Sequence, residues 1–240
     1  MSRGVLYLES VSRTFARVEA LSDLSLSVGR GEFVAVVGPS GCGKTTLLNL
    51  IAGHDTPTEG AISRSGTMRM IYQNGSLFPW MTVAQNVMIG LREVVGPERG
   101  RQLEDMVNLV GLQGFEGHYP HQLSGGMRQR VELARALAGE SDFLLLDEPF
   151  SALDYITRLR LRAELSRVLE QRPRTAILVT HDIEEAAQLA DRVIVLSERP
   201  GRIRRELQVC APRPRDPTSP EVVQTVHIVL TELGLERNAQ

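Results

Sequence analysis

The chain has 240 residues, 42% of them apolar, a formal net charge of −2 and two cysteines. That length suits one domain, or one domain with a sub-lobe, and the apolar share is enough for a full core. The near-zero charge gives no reason to expect nucleic acid, and Cys42 and Cys210 are too few for a disulfide framework and suit a reducing cytosol.

The start, Met1-Ser2-Arg3-Gly4, offers no apolar signal core, and no stretch of about 18 uncharged apolar residues is long enough to span a bilayer. Val5 to Leu8, followed by Leu24, Leu26 and Val28 alternating with serines, predicts an antiparallel β layer. Phe33 to Val37 is a short apolar run of the kind that forms a buried parallel strand.

Gly38-Pro39-Ser40-Gly41-Cys42-Gly43-Lys44-Thr45 then fits the phosphate-loop pattern GxxxxGK[ST], and Thr45 to Ala52 reads as a helix with Leu47, Leu48 and Ile51 turned inward. Strand, glycine loop and helix follow in the order a phosphate site requires. The glycines let successive N–H groups face one anion, and the helix start adds its partial positive charge. Lys and Arg together number 27, yet Lys44 is the only lysine. An ammonium is a compact charge that fits between phosphate oxygens, whereas a guanidinium is a wide planar fork. Cys42 reads first as a small loop residue; the alternative is a thiol acidified by the helix start, whose alkylation would block ATP binding.

Met68 to Tyr72 predicts a further strand leading to Gln73, and from about Asn74 to Gly139 the pattern turns helical. Met106, Val107, Leu109 and Val110 mark one helix face, with Gly111 as its stop. Leu123-Ser124-Gly125-Gly126-Met127 opens another helix and makes a second anion-binding start, although alone it reads equally as a plain serine cap. A buried strand, Phe143 to Leu146, ends in Asp147 and Glu148. Strand ends of parallel sheets are where ligands sit, so Asp147 is placed to hold Mg²⁺ and Glu148 to deprotonate an attacking water.

A helix is predicted from Asp154 to about Gln171, with Leu161, Leu165, Val168 and Leu169 facing inward. Strands are predicted at Ala176 to Thr180 and Val193 to Leu196. Asp182 and Glu185 read as a capping pair for the next helix, and Arg199-Pro200-Gly201 as a turn. Four prolines between Ala211 and Pro220 break regular structure before a terminal helix carrying Val222, Val223, Val226, Val229 and Leu230.

Taken together, the motifs resemble those of the ATP-binding cassette (ABC) ATPases. The phosphate loop, Tyr72-Gln73, Leu123-Ser124-Gly125-Gly126-Met127, Leu145-Leu146-Asp147-Glu148, Ser151-Ala152-Leu153-Asp154 and Thr180-His181-Asp182 stand in the family's order from about Leu6 to Arg204. The resemblance implies an α/β P-loop NTPase fold: a RecA-like parallel sheet with helices, an N-terminal antiparallel β layer and an inserted helical lobe. Residues 1–73 and 140–210 would form the nucleotide core, 74–139 the helical lobe, and 211–240 a Pro-rich linker and helix. It implies ATP and Mg²⁺ as cofactors, with Mg²⁺ on Thr45, Gln73 and Asp147 and the phosphates on Gly38 to Thr46, Lys44 foremost. Glu148, His181 and Lys44 would be catalytic. Ser124, Gly125, Gly126 and Asp154 would meet the nucleotide across a homodimer. Phe15 falls where the family places an aromatic ring against adenine, though a single Phe also reads as core. Met127 departs from the glutamine common at that position.

Leu77-Phe78-Pro79-Trp80-Met81-Thr82-Val83, Tyr119 to Ser124 and Leu196 to Ile203 are similar to the ATPases of nitrate, sulfonate and taurine importers. That branch implies a chain peripheral on the cytoplasmic face of the membrane. It would be paired with integral-membrane permease subunits docking near Phe78, Trp80 and Met81, and indirectly with an extracytoplasmic solute-binding protein. Those three side chains read equally as packing inside the helical lobe. The rival is a scaffold-type single-cassette ATPase of the iron–sulfur assembly kind; a lipid-trafficking ATPase is a further alternative.

Overall fold

The computed structural model describes residues 4–73 and 75–235. Met1 to Arg3 and Asn74, where the helical stretch was expected to begin, lie outside the described residues. The chain divides into two compact units. One comprises Met1–Met68, Asp142–Asp147 and Ser166–Gln240; the other comprises Arg69–Ser141 and Glu148–Leu165.

In the first unit, β1 (Gly4–Phe15) and β2 (Val18–Gly29) form a long antiparallel hairpin. The alternation Leu24, Leu26, Val28 buries one face of β2 and leaves the serines outward, as the period-two pattern requires. β3 (Phe33–Val37) is buried at all five positions and leads through the glycine loop into α1 (Lys44–Ala52). β4 (Glu59–Arg64) then pairs antiparallel with β1, closing a sheet of order β2-β1-β4.

The same unit holds the parallel strands that carry the loop. β6 (Phe143–Asp147), β7 (Thr175–Val179), β3 and β8 (Arg192–Leu196) lie side by side in the order β6-β7-β3-β8, and β9 (Ile203–Gln208) adds an antiparallel edge. β3, β6 and β7 are buried at every position, as strands enclosed on both faces are. α6 (Ile183–Leu189) and α7 (Pro220–Glu232) complete the unit. α7 buries Val222, Thr225 and Val229, while Val223 is exposed; Arg205 pairs with its Glu232 at 2.8 Å. The proline-rich approach to α7 is fixed by Arg215, a buried guanidinium that donates to the carbonyls of Gln188, Ala190, Val209 and Ala211.

The second unit begins within β5 (Met68–Ile71), at Arg69, and its regular elements are otherwise helical: α2 (Val83–Gly90), α3 (Pro97–Leu109), a 3-10 turn at Pro120–Gln122 and α4 (Gly125–Leu137). Thr82 and Gln85 form a capping box on α2. α3 ends as expected, with Gly111 in the left-handed region at φ 63°. α5 (Tyr155–Gln171) starts in this unit and ends in the first, burying Leu161, Leu165 and Leu169.

Candidate functional site

The phosphate loop lies between β3 and α1. Gly43 caps α1 in a left-handed conformation at φ 103°, and a Cβ there would sit 2.7 Å from Leu21 Cδ2, so only glycine fits. Lys44 is buried, and its Nζ donates to the carbonyls of Gly38 at 2.8 Å and Pro39 at 3.0 Å. The ammonium is thereby held inside the curl of the loop that the sequence assigned to phosphate. Cys42 is the small packed residue first read from the sequence, and only its expected acidification is corrected. Its side chain is buried against Gly38, and that burial pushes the thiol pKa up, outweighing the lowering influence of Lys44. It is a packing residue, not an activated thiol.

Thr45 leaves the first turn of α1 and Asp147 ends β6, and the Thr45 hydroxyl lies 3.3 Å from Asp147 Oδ1. Asp147 is buried, and its carboxylate lies beside the Thr45 hydroxyl. A hydroxyl and a carboxylate oxygen are the hard donors that Mg²⁺ takes, so the pair fits that ion. At the end of β7, the Thr180 hydroxyl donates to Glu185 Oε2 at 2.7 Å and accepts the Asp182 N–H at 3.0 Å. Asp182 caps α6 by accepting the Glu185 N–H at 3.0 Å, the capping pair expected from the sequence, and the Glu185 carboxylate meets Thr180. His181 is exposed between these two anchored residues. Phe15, at the end of β1, is 43% exposed, with the Arg13 guanidinium 4.4 Å over its ring and Asp55 holding that guanidinium at 2.7 Å. It is a supported exposed ring rather than a core residue.

Glu148 and the remaining candidates belong to the second unit. Glu148 has φ 49°, a left-handed backbone unusual for a residue with a side chain and common where function fixes the geometry. Gln73 Nε2 donates to Glu148 Oε2 at 3.3 Å. Gln129, which the sequence reading passed over, donates to the Glu148 carbonyl at 2.9 Å and accepts the Ala152 N–H at 2.9 Å. It therefore splints Glu148 to the Ser151–Asp154 segment; its only sequence signal was a place one turn into the helix that Ser124 opens.

The Ser124 hydroxyl caps α4 by accepting the Met127 N–H at 3.2 Å. A Cβ on Gly126 would lie 3.1 Å from the Ala152 carbonyl, so α4 begins hard against the same segment. Asp154 accepts the Thr157 N–H at 3.0 Å, and its hydrogen bonds with Thr157 hold its carboxyl below the usual range. A cleft of about 410 Å³ is lined by Tyr72, Gln73, Arg128, Gln129 and Glu132 among others. Glu132 is buried there and its pKa is raised by that burial, while its carboxylate accepts the Ser76 N–H. Nearby, Phe78 and Trp80 pack with ring centroids 5.5 Å apart; Trp80 remains 69% exposed and Phe78 37%. That exposure removes core packing as the reason for Trp80.

A family model described as ABC transporter matches residues 21–151. This chain belongs to the ABC transporter family. The aliphatic sulfonates import ATP-binding protein SsuB 1 of Agrobacterium fabrum is 44% identical over 227 residues, covering 93% of this chain and 82% of that protein. The taurine import ATP-binding protein TauB of Pelagibacter ubique is 45% identical over 199 residues, covering 79% and 75% respectively. Among solved structures, the dimeric ATP-binding cassette MJ0796 in a post-hydrolysis state with ADP and Pi aligns with a TM-score of 0.78 at 31% identity, over 86% of this chain and 100% of that one. The chain is an ATP-binding cassette ATPase, and the α/β P-loop fold read from its sequence is the fold it has. Among the described residues, no helix of this ABC ATPase is long and apolar enough to cross a membrane.

Proposed function

We propose that this chain is the ATP-hydrolysing subunit of an importer for a small sulfonate- or taurine-like solute, working as a homodimer on the cytoplasmic face of permease subunits fed by a solute-binding protein. The observation that carries the nucleotide chemistry is the buried Lys44 ammonium within the Gly38–Gly43 loop, next to the Thr45–Asp147 oxygen pair. The solute class is supported by relatives whose names assign them to aliphatic sulfonates and taurine.

In this reading Lys44 and the loop N–H groups bind the phosphates, and Thr45, Asp147 and Gln73 hold Mg²⁺, which when bound would neutralise phosphate charge. Phe15 stacks on the adenine with the face that Arg13 leaves open. Glu148 takes the proton from the attacking water, with Gln73 and Gln129 fixing its side chain and backbone. His181, presented by the Thr180–Glu185 anchor, contacts the γ-phosphate. Ser124, Gly125 and Gly126 of one copy meet the γ-phosphate bound by the other, and Asp154 crosses between them. Charge-assisted hydrogen bonds of this kind contribute about 1.5–3 kcal/mol each, so a few per site shift a closure equilibrium of a few kcal/mol. Phe78, Trp80 and Met81 receive the permease.

Purifying the chain from its native membrane tests the proposal. An integral-membrane partner is expected to co-purify, and solute-loaded binding protein to raise ATP turnover by the complex. Association with soluble proteins alone would overturn it.

A further inference from the structure

The turn between β8 and β9, Ser197 to Arg202, is rigid in its own right. Ser197 N–H donates to the Arg202 carbonyl at 2.9 Å, and Ser197 Oγ accepts the Arg202 N–H at 3.0 Å while donating to the Pro200 carbonyl at 3.0 Å. It is fastened to β2 at three points: Gly201 N–H to the Ala20 carbonyl at 2.9 Å, Ser22 N–H to the Gly201 carbonyl at 3.1 Å, and Arg202 Nη2 to Ser22 Oγ at 2.8 Å. From this base the turn touches the phosphate loop twice. Gly201 packs so closely that a Cβ would lie 2.1 Å from the Cys42 carbonyl, and Arg199 Nε donates to the Gly41 carbonyl at 3.0 Å.

The second contact has a chemical logic. A loop that curls its N–H groups toward one anion leaves carbonyls whose direction depends on what they bond. Lys44 Nζ supplies the donor for Gly38 and Pro39 from inside. Gly41, at φ 75°, presents its carbonyl on the exposed side, where Arg199 meets it. The peptide that links Gly41 to Cys42 also carries the Cys42 N–H, which donates to the Pro39 carbonyl at 3.3 Å inside the loop, so fixing the Gly41 carbonyl helps to fix the curl of the loop itself.

We propose that Arg199 is a positioning residue for nucleotide binding, which sets the Gly41–Cys42 peptide of the phosphate loop by hydrogen-bonding its carbonyl from a turn anchored on β2. It acts through the loop and touches neither substrate nor metal. The inference rests on this loop being the ATP site.

The test is ATP affinity and steady-state turnover of the full chain with Arg199→Ala and Arg199→Lys. Arg199→Ala is expected to raise Kd and KM for ATP about five- to tenfold, the scale of one hydrogen bond, with kcat little changed. The nucleotide-free melting temperature should not move, because the side chain is exposed. Arg199→Lys, which still offers an N–H to the same carbonyl, should restore most of the affinity. ATP affinity in Arg199→Ala equal to the parent's would overturn the proposal. So would a loss of affinity that lysine does not rescue and that tracks a lower melting temperature, since the turn would then only support the fold. A parent chain that binds no ATP would instead overturn the reading of the loop itself, which keeps the two failures apart.

Discussion

Thr45 and Asp147, 102 positions apart in the chain, bring a hydroxyl and a carboxylate oxygen to within 3.3 Å of one another. The first is set by the helix that the glycine loop opens, the second by the end of a fully buried strand two places away from β3 in the sheet order. A buried carboxylate is costly unless its charge is answered, and a divalent cation answers it well. Asp147→Asn preserves the shape and the hydrogen-bonding capacity but removes the charge. It is expected to weaken Mg²⁺ dependence by about tenfold to a hundredfold, while nucleotide binding in the presence of chelator is retained. Magnesium titrations of turnover, paired with metal-free ATP binding, check this.

Glu148 follows Asp147 directly, yet its backbone turns left-handed and its side chain meets Gln73. A carboxylate held in that way suits a general base, whose removal typically costs about 10²–10⁴ in rate. Glu148→Gln should therefore keep ATP binding, lose turnover on that scale and accumulate an ATP-bound dimer. Light scattering on the variant at saturating ATP measures this, and a persistent monomer would count against the shared site.

Lys44 engages two carbonyls from inside the loop, a position with room for a tapered ammonium. Lys44→Ala should lose most ATP binding, on the order of a hundredfold for two charge-assisted contacts. Lys44→Arg should not restore it, because a planar fork cannot occupy the same enclosed place. Calorimetric titration of the three proteins with ATP distinguishes these outcomes.

Much of this site was legible because its parts are local. Phe33 to Val37 and Phe143 to Leu146 are uninterrupted apolar runs, and the glycine loop and Ser124-Gly125-Gly126 carry their geometry in consecutive residues. What escaped was decided by partners far away in the chain. β4, Glu-Gly-Ala-Ile-Ser-Arg, and β9, Ile-Arg-Arg-Glu-Leu-Gln, are largely polar and become strands only through pairing with β1 and β8. Gln129 looked like one more polar residue on a helix until Glu148 and Ala152 were seen against it. Arg162 sits among several arginines of α5 and is nonetheless almost fully buried, which no local pattern announces. The expected acidification of the Cys42 thiol failed for the same reason: the helix start is visible in the sequence, whereas the burial that outweighs it is not.

That burial gives a pH dependence of definite sign. With its folded pKa raised above the ordinary thiol value, Cys42 stays neutral where an exposed thiol already ionises. Its contribution to stability is therefore complete below the unfolded thiol pKa and falls as pH rises above it, through the folded value. At neutral pH an alkylating reagent should modify the exposed Cys210 first, leaving ATP turnover intact, with Cys42 reacting only on unfolding or in strong alkali. Mass-spectrometric mapping of labelling against residual activity at several pH values checks the order. Rapid labelling of Cys42 near pH 7 would contradict it.

Trp80 is held by position rather than by burial. Phe78 N–H donates to the buried Asn86 at 2.9 Å, and Asn86 in turn donates to the Phe78, Met81 and Thr82 carbonyls, so one buried amide shapes the segment that presents the ring. With 69% of its surface exposed, Trp80 contributes little to the fold, and its replacement by alanine should change stability by no more than about 0.5 kcal/mol. A large aromatic kept in water on a shaped segment is instead the kind of anchor on which interfaces depend, where truncation commonly costs about 2 kcal/mol or more. Trp80→Ala should thus leave the isolated chain's melting temperature and basal ATP turnover unchanged, while assembly with the permease weakens by about thirtyfold and solute-stimulated turnover falls with it. Removing Asn86 instead should damage both, because the whole segment then loses its support. Assembly measured by pull-down on the membrane subunits, beside melting curves of each variant, separates the two. Undiminished assembly of a folded Trp80→Ala would remove this surface from the docking site.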